Sequence, residues 1–250
     1  MRIAVVGATG RIGRIAVGLL KRAGHEAVPI SRTGGIDVVT GVGLDDALAG
    51  AEAVIDAINM AGADRDETVA LFRTATTNLL AAEQRTGVRH HVLLSIVGID
   101  RVPDNVHYQG KRAQEAAIVD GPVPWTIVAA TQFYDFPMMV ASRGRQGDTV
   151  TLAPLLMRPI APVDVAKSLV EAAAGEPLGR IEVAGPHTED AVDMARRGFA
   201  ARGELIRIVP TWDGVFGTSM AGNVLLPGPD ARLFKKTFEE WLASGGPAGV

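Results

Sequence analysis

The chain has 250 residues, carries 25 basic against 28 acidic side chains for a formal net charge of −3, and holds no cysteine. That balance offers no basic field to a phosphodiester backbone, so no nucleic-acid partner is expected; the missing cysteines exclude disulfides, thiolate catalysis and sulfur-ligated zinc. No apolar run reaches the roughly 18 residues of a membrane span, and Met1 leads into a strand pattern without the regions of a signal peptide, so no membrane partner and a cytoplasmic location are expected.

Short β-rich apolar runs at 2–6, 26–30, 36–40, 53–57, 91–95 and 125–130 alternate with helical patterns through the first half. Such alternation predicts an α/β protein with a Rossmann-type, doubly wound parallel sheet covered on both faces. Between the first two runs Ile12, Ile15, Ala16, Leu19, Leu20 and Ala23 recur at helical spacing, and Gly24 follows as a stop. The segment 66–86 places Val69, Phe72, Leu79 and Leu80 on one face and ends at Gly87; the carboxylates within 64–67 read as capping and dipole groups at its start.

After Ala130 the prolines at 137, 154, 159, 162, 210 and 227 break the pattern into shorter pieces. Helices are predicted at 163–174, 189–202 and 231–242, with a strand at 180–184. In the last helix Leu233, Phe234, Phe238, Trp241 and Leu242 form an apolar stripe expected to be buried. No linker or internal repeat interrupts the chain, so 1–250 reads as one unit. Residues 1–135 supply mainly a dinucleotide-binding core, and 136–250 supply a smaller C-terminal substrate-facing lobe from which 179–185 returns to the sheet.

The firmest motif is Gly7-Ala8-Thr9-Gly10-Arg11-Ile12-Gly13, a GxxGxxG run between the first strand and the first helix. Gly7 allows a sharp exit from the strand, Gly10 lets backbone N–H groups approach a pyrophosphate, and Gly13 lets the helix pack close. Thr9, Arg11 and Ile12 complete the cofactor-binding segment, whose unpaired helix N–H groups face the anion. NAD-selective sites place a carboxylate at the end of the second strand; here Ser31-Arg32-Thr33 stands there. A hydroxyl and a guanidinium donate to a 2′-phosphate that a carboxylate would repel, which favours NADP(H) over NAD(H).

The GATGRIG turn, Ser31-Arg32, the strand end Leu94-Ser95-Ile96-Val97-Gly98 and Tyr108-Gln109-Gly110-Lys111 together resemble the atypical short-chain dehydrogenase/reductase superfamily, and within it the NmrA-like NAD(P)H-binding group. Pro162-Val163-Asp164-Val165-Ala166, Ala184-Gly185-Pro186 and the closing Thr237–Leu242 segment extend the resemblance over nearly the whole chain. The group includes reductases, isomerases and redox-sensing proteins, so the resemblance implies a fold and a cofactor more than a reaction.

The superfamily implies a Tyr-x-x-x-Lys pair on one helix face and a Ser from an earlier strand end, with Lys gripping the nicotinamide ribose and the hydroxyls polarising the substrate oxygen. Ser95 and Lys111 match. Four residues before Lys111 stands His107, not Tyr, and four after Tyr108 stands Arg112. Three assignments stay open: His107 donates in place of Tyr, Tyr108 reaches in at a spacing of three, or neither transfers a proton. An imidazole beside an ammonium is expected to be neutral.

Asp56 and Asn59 close the run at 53–57, at the carboxyl edge where cofactors sit in open α/β sheets. Thr131 is a further cofactor candidate, and Gln132, Phe133 and Phe136 are substrate candidates, the two rings as apolar walls. His90 and His91 are adjacent on a strand and point to opposite faces, so no metal site is expected. The leading expectation is an NADP(H)-dependent oxidoreductase that transfers hydride to or from a small carbonyl, enone or quinone-like substrate. A non-catalytic NADP(H) redox sensor is the alternative, and an isomerase or epimerase using the cofactor transiently is the third reading.

Overall fold

The computed structural model describes residues 1–214 and 216–246. In chain order the elements are β1 (Arg2–Val6), α1 (Arg11–Arg22), β2 (Glu26–Ile30), α2 (Leu44–Leu48), β3 (Ala53–Asp56), α3 (Arg65–Thr86), β4 (His90–Ile96), α4 (Val106–Val119) and β5 (Trp125–Ala130). There follow α5 (Phe136–Arg143), β6 (Thr149–Leu152), β7 (Leu156–Met157), α6 (Pro162–Ala173), β8 (Gly179–Ala184), β9 (Glu189–Asp190), α7 (Ala191–Ala201), β10 (Arg207–Pro210), β11 (Arg232–Leu233) and α8 (Phe238–Ala243). The chain divides into two compact units, one of Met1–Ala129 with Val163–Ile181, the other of Ala130–Pro162 with Glu182 onward.

Among the described residues the main sheet has seven strands in the order β11-β8-β5-β4-β3-β1-β2. Its pairings of β1 with β2 and β3, of β3 with β4 and of β8 with β11 are parallel. The order turns back at β1, the first strand of the chain, so the strands on either side of it leave through separate crossovers. This is the Rossmann-type arrangement that the alternation predicts, and ligands of such sheets bind at the carboxyl ends of strands near that reversal.

Burial follows the sequence pattern. Ile3, Ala4, Val5 and Val6 of β1 are all buried, as a strand covered on both faces requires. Helix α1 turns Ile12, Ala16 and Leu20 inward at helical spacing. Helix α3 starts where Asp64 accepts from the Glu67 N–H at 2.9 Å and stops at Gly87, whose φ of +78° ends it in the left-handed conformation.

Two predicted elements are corrected. Residues 36–40 form turns rather than a strand. The Asp37 carboxylate accepts from the Val39 N–H at 2.8 Å, and Asn78 Nδ2 of α3 donates to the Val38 and Val39 carbonyls at 3.1 and 2.7 Å. With these groups satisfied by side chains instead of a neighbouring strand, the apolar residues reach the core without a ladder; Val38 is buried beside Leu44 and Leu48.

Residues 231–242 do not form one helix. Arg232–Leu233 pairs with β8, Phe234 N donates to Ala184 O at 2.8 Å, and α8 begins only at Phe238. A capping box fixes that start: the Thr237 hydroxyl accepts from Glu240 N at 3.1 Å, and the Glu240 carboxylate accepts from Thr237 N at 2.9 Å. Phe238 and Trp241 are buried as expected, whereas Leu233 is exposed on the strand.

Candidate functional site

Two glycines of the turn, Gly7 and Gly13, have no room for a side chain. Gly7 has φ +77°, and a β-carbon on it would lie 2.8 Å from the Ala57 carbonyl oxygen. Gly7 N and Ala8 N donate to Ile30 O at 3.1 and 3.2 Å, and Gly10 N donates to Gly7 O at 2.9 Å, so the loop is tied to β2 and closed on itself. A β-carbon on Gly13 would lie 2.2 Å from the Gly7 carbonyl oxygen, so only glycine lets α1 approach this closely.

Gly10 caps α1 with no side-chain hydrogen bond, and the first turn of the helix carries no acidic residue. No carboxylate therefore competes for the helix N-terminus, where N–H groups and the macrodipole favour a phosphate. Thr9 and Gly10 are exposed, Arg11 is half-buried, and Ile12 is buried, anchoring the turn. The residues present fit a dinucleotide pyrophosphate.

At the end of β2 the backbone of Ser31 is extended and Arg32–Gly34 makes a single 3-10 turn without an acidic residue. The Ser31 and Thr33 hydroxyls lie 3.0 Å apart, and Arg32 and Thr33 are exposed. This cluster presents donors to solvent.

Beyond β3 lies a buried polar cluster. The Lys111 ammonium of α4, 3% exposed, donates to Leu94 O of β4 at 2.7 Å and to the Gln114 amide oxygen. The Gln114 amide nitrogen donates to Asp56 Oδ2 at 2.8 Å, and Asp56 Oδ1 accepts from Ile58 N at 3.0 Å. Asp56 is wholly buried, its carboxylate bonded inside the protein, while Asn59 is exposed on the loop after β3. Burial pushes the Lys111 amine down to about 8, against the opposing pull of Asp56 and Glu115.

Helix α4 starts at Asn105, whose side chain accepts from Tyr108 N at 3.0 Å. His107 and Tyr108 thus sit in its first turn. Tyr108 is buried, and His107, half-buried, meets Phe72 edge to face at 5.7 Å between centroids. Burial first and the Lys111 charge second push the imidazole down to about 4, with a hydrogen bond to the Met60 backbone opposing. His107 is therefore neutral around pH 7, as the neighbouring ammonium leads one to expect.

The Ser95 hydroxyl, almost fully buried, donates to Glu115, whose carboxylate is gripped by Arg180 Nη1 at 2.6 and 2.5 Å. A third buried pair, His91 Nδ1 and Glu83 Oε1 at 2.8 Å, stands behind Asp56, with His91 Nε2 3.9 Å from Asp56 Oδ2. Sequence reasoning missed Gln114, Glu115 and Glu83. The usable signal was spacing: Gln114 and Glu115 fall three and four residues after Lys111, on its own helix face.

Four candidates lie in the other unit. Thr131 is buried, its N–H donating to Val183 O at 3.1 Å and its hydroxyl to Arg158 O at 2.7 Å. Gln132 is 6% exposed, and neither polar atom of its amide has a hydrogen-bond partner among the described residues. Phe133 is half-buried, and Phe136 packs on Phe216 at 5.5 Å. Among the described residues no group of three or more His, Asp or Glu side chains is arranged to hold a metal, and no helix is long and apolar enough to cross a membrane.

A family model described as NAD(P)H-binding matches residues 7–176, more than half of the chain. No curated protein matches. Among solved structures, the enzyme WbmH of Bordetella bronchiseptica, in complex with NAD+, is 14% identical, with 100% of this chain and 99% of that chain covered at a TM-score of 0.76. The dTDP-4-dehydrorhamnose reductase of Bacillus anthracis, in complex with NADP, is 14% identical over 97% of each chain at 0.72. A short-chain dehydrogenase/reductase superfamily protein of Agrobacterium tumefaciens with bound NAD is 20% identical over 99% of this chain and 97% of that chain at 0.68. At such identities the likeness is one of fold.

Proposed function

Because the chain belongs to the NAD(P)H-binding family, we propose that it is an NADP(H)-dependent oxidoreductase of the atypical short-chain dehydrogenase/reductase type, NmrA-like in its motifs, acting on a small carbonyl, enone or quinone-like substrate. The observation that carries the reading is the turn formed by Gly7, Gly10 and Gly13: Gly7 and Gly13 leave no room for a side chain, and the N-terminus of α1 that they position carries no side-chain cap and no acidic residue to compete with a pyrophosphate. Ser31 and Arg32 support the 2′-phosphate form, because they place donors where an NAD-selective site places an acid.

When bound, the cofactor supplies the hydride chemistry. The chain's own residues hold and orient. Thr9, Arg11 and Ile12 complete the pyrophosphate turn, and Asn59 and Thr131 are further proposed cofactor contacts, with Asp56 contributing through the loop that it ties. Lys111 keeps one proton beyond the two given to Leu94 and Gln114, and this proton is proposed to reach a nicotinamide-ribose hydroxyl. A neutral His107 serves as a hydrogen-bonding group toward the substrate oxygen rather than as a strong acid, with Tyr108 as the other proposed candidate in that turn. Ser95 polarises that oxygen only when its hydroxyl leaves Glu115. The unpartnered amide of Gln132 is a proposed substrate contact, and Phe133 and Phe136 are proposed apolar walls.

Deuteride transfer from 4-deuterated NADPH to a panel of ketones, enones and quinones tests the reading. Deuterium on the reduced carbon of a ketone or enone product is expected, or, for a quinone, whose hydroquinone exchanges the label into water, oxidation of one NADPH per hydroquinone formed. Transfer to none of the three classes contradicts it.

A second reading, a non-catalytic NADP(H) sensor, is favoured by one observation: both expected oxygen-polarising groups, Ser95 and His107, are poor proton sources as they stand. It predicts unequal affinities for NADP+ and NADPH together with a partner complex that depends on which form is bound. Equal affinities dismiss it.

A further inference from the structure

Lys111 does not stand alone in the core. Its ammonium sits 5.4 Å from the centre of the Phe72 ring, with Asp56 on β3, Glu115 and His107 on its own helix, and His91 of β4 and Glu83 of α3 behind Asp56. A lysine side chain has four rotatable stem bonds and three equivalent donors, so burial alone does not fix where its protons point. Acceptors fix them.

Gln114 is the acceptor whose own orientation is determined. It is wholly buried, and its amide nitrogen faces the Asp56 carboxylate, which as an anion only accepts. The amide oxygen must then face Lys111, which only donates, so flipping the amide would break both bonds. Asp56 is fixed in turn by the Ile58 N–H. A continuous chain of hydrogen bonds therefore runs from the loop after β3 through Asp56 and Gln114 to the Lys111 ammonium. Leu94 O takes the second proton, which leaves the direction of the third defined.

We infer that Gln114 is a positioning residue for the nicotinamide-ribose end of the cofactor: anchored by Asp56, it aims the Lys111 ammonium at the ribose. The inference rests on the proposal that Lys111 is a cofactor ligand. It adds a residue that touches neither substrate nor cofactor.

Titrations of the purified protein with NADPH and with the adenine-half probes 2′,5′-ADP and ADP, which lack the nicotinamide ribose, separate aiming from folding. Gln114→Met keeps the volume and removes both hydrogen bonds. The expected result is about a tenfold loss of NADPH affinity, the scale of one charge-assisted hydrogen bond, with adenine-half affinity unchanged. In a Lys111→Met background the same substitution is expected to cost nothing further, because the two residues act as one unit.

Should Gln114→Met bind neither probe, Gln114→Asn carries the test. It has the same groups but is one methylene too short to span Asp56 and Lys111 at once, and the same selective loss is expected. Wild-type NADPH affinity in a variant that still binds an adenine-half probe overturns the role of Gln114, as does an additive loss in the Lys111→Met background. A wild-type protein that binds the adenine halves and not NADPH overturns instead the reading of Lys111 as a cofactor ligand.

Discussion

A β-carbon on Gly13 would fall 2.2 Å from the carbonyl oxygen of Gly7 and 2.9 Å from Ala8 Cα. Both are backbone atoms of a loop tied to β2, so neither side gives way cheaply. Gly13→Ala must push α1 away from the turn and spoil the alignment of its N–H groups. It is expected to destabilise the fold by about 1–3 kcal/mol and to weaken NADPH binding at least about tenfold. Chemical denaturation together with NADPH titration checks both.

Arg32 is exposed at the end of β2, with no acidic residue in its turn. Arg32→Ala is expected to lower NADPH affinity by about tenfold, the loss of one charge-assisted contact to a 2′-phosphate, and to leave NADH affinity unchanged. Parallel titrations with the two cofactors report it, and an equal loss for both would remove Arg32 from the 2′-phosphate site.

Much of the fold was legible because local chemistry and tertiary structure agree. The buried run of β1, the glycine turn, the inward face of α1 and the Asp64 and Gly87 ends of α3 are all read from spacing and capping. The misreadings lie where a distant partner decides. Asn78, some forty residues away, satisfies the carbonyls of Val38 and Val39 and removes the need for a strand. The ladder to β8 takes Leu233 out of a helix whose apolar spacing looked continuous. The cofactor turn could be read as one contiguous motif. The Asp56, Gln114 and Lys111 chain could not, because it joins β3 to α4 across a long stretch of sequence.

Gly110 faces Phe72. A β-carbon there would lie 2.4 Å from Phe72 Cδ2 and 3.1 Å from Thr68 Cγ2, and Phe72 is wholly buried, without room to turn aside. The absence of a side chain lets α4 and α3 approach closely, which sets the position of Lys111. Gly110→Ala is expected to cost about 1–3 kcal/mol by overpacking, more than its gain in helix propensity returns. Urea denaturation measures the difference; an unchanged or raised midpoint would contradict the close packing.

The depressed His107 value makes stability depend on pH. The imidazole titrates at about 4 in the folded chain against 6.5 as its ordinary value. Between those values the unfolded chain binds a proton that the folded chain refuses, so stability falls as pH falls through that window, by up to about 3 kcal/mol. His107→Gln, which carries no titratable group, is expected to flatten that part of the profile. Urea midpoints at neutral pH and at moderately acid pH, compared between wild type and variant, decide it; parallel slopes would contradict the assignment.

The turn that Gly7, Gly10 and Gly13 form is proposed to hold NADP(H). Isothermal titration calorimetry of the wild-type protein with NADPH and NADH tests it most directly. Saturable binding of one NADPH per chain, tighter than NADH, is the predicted result. Heats of dilution alone with both cofactors would rule out cofactor binding at this turn.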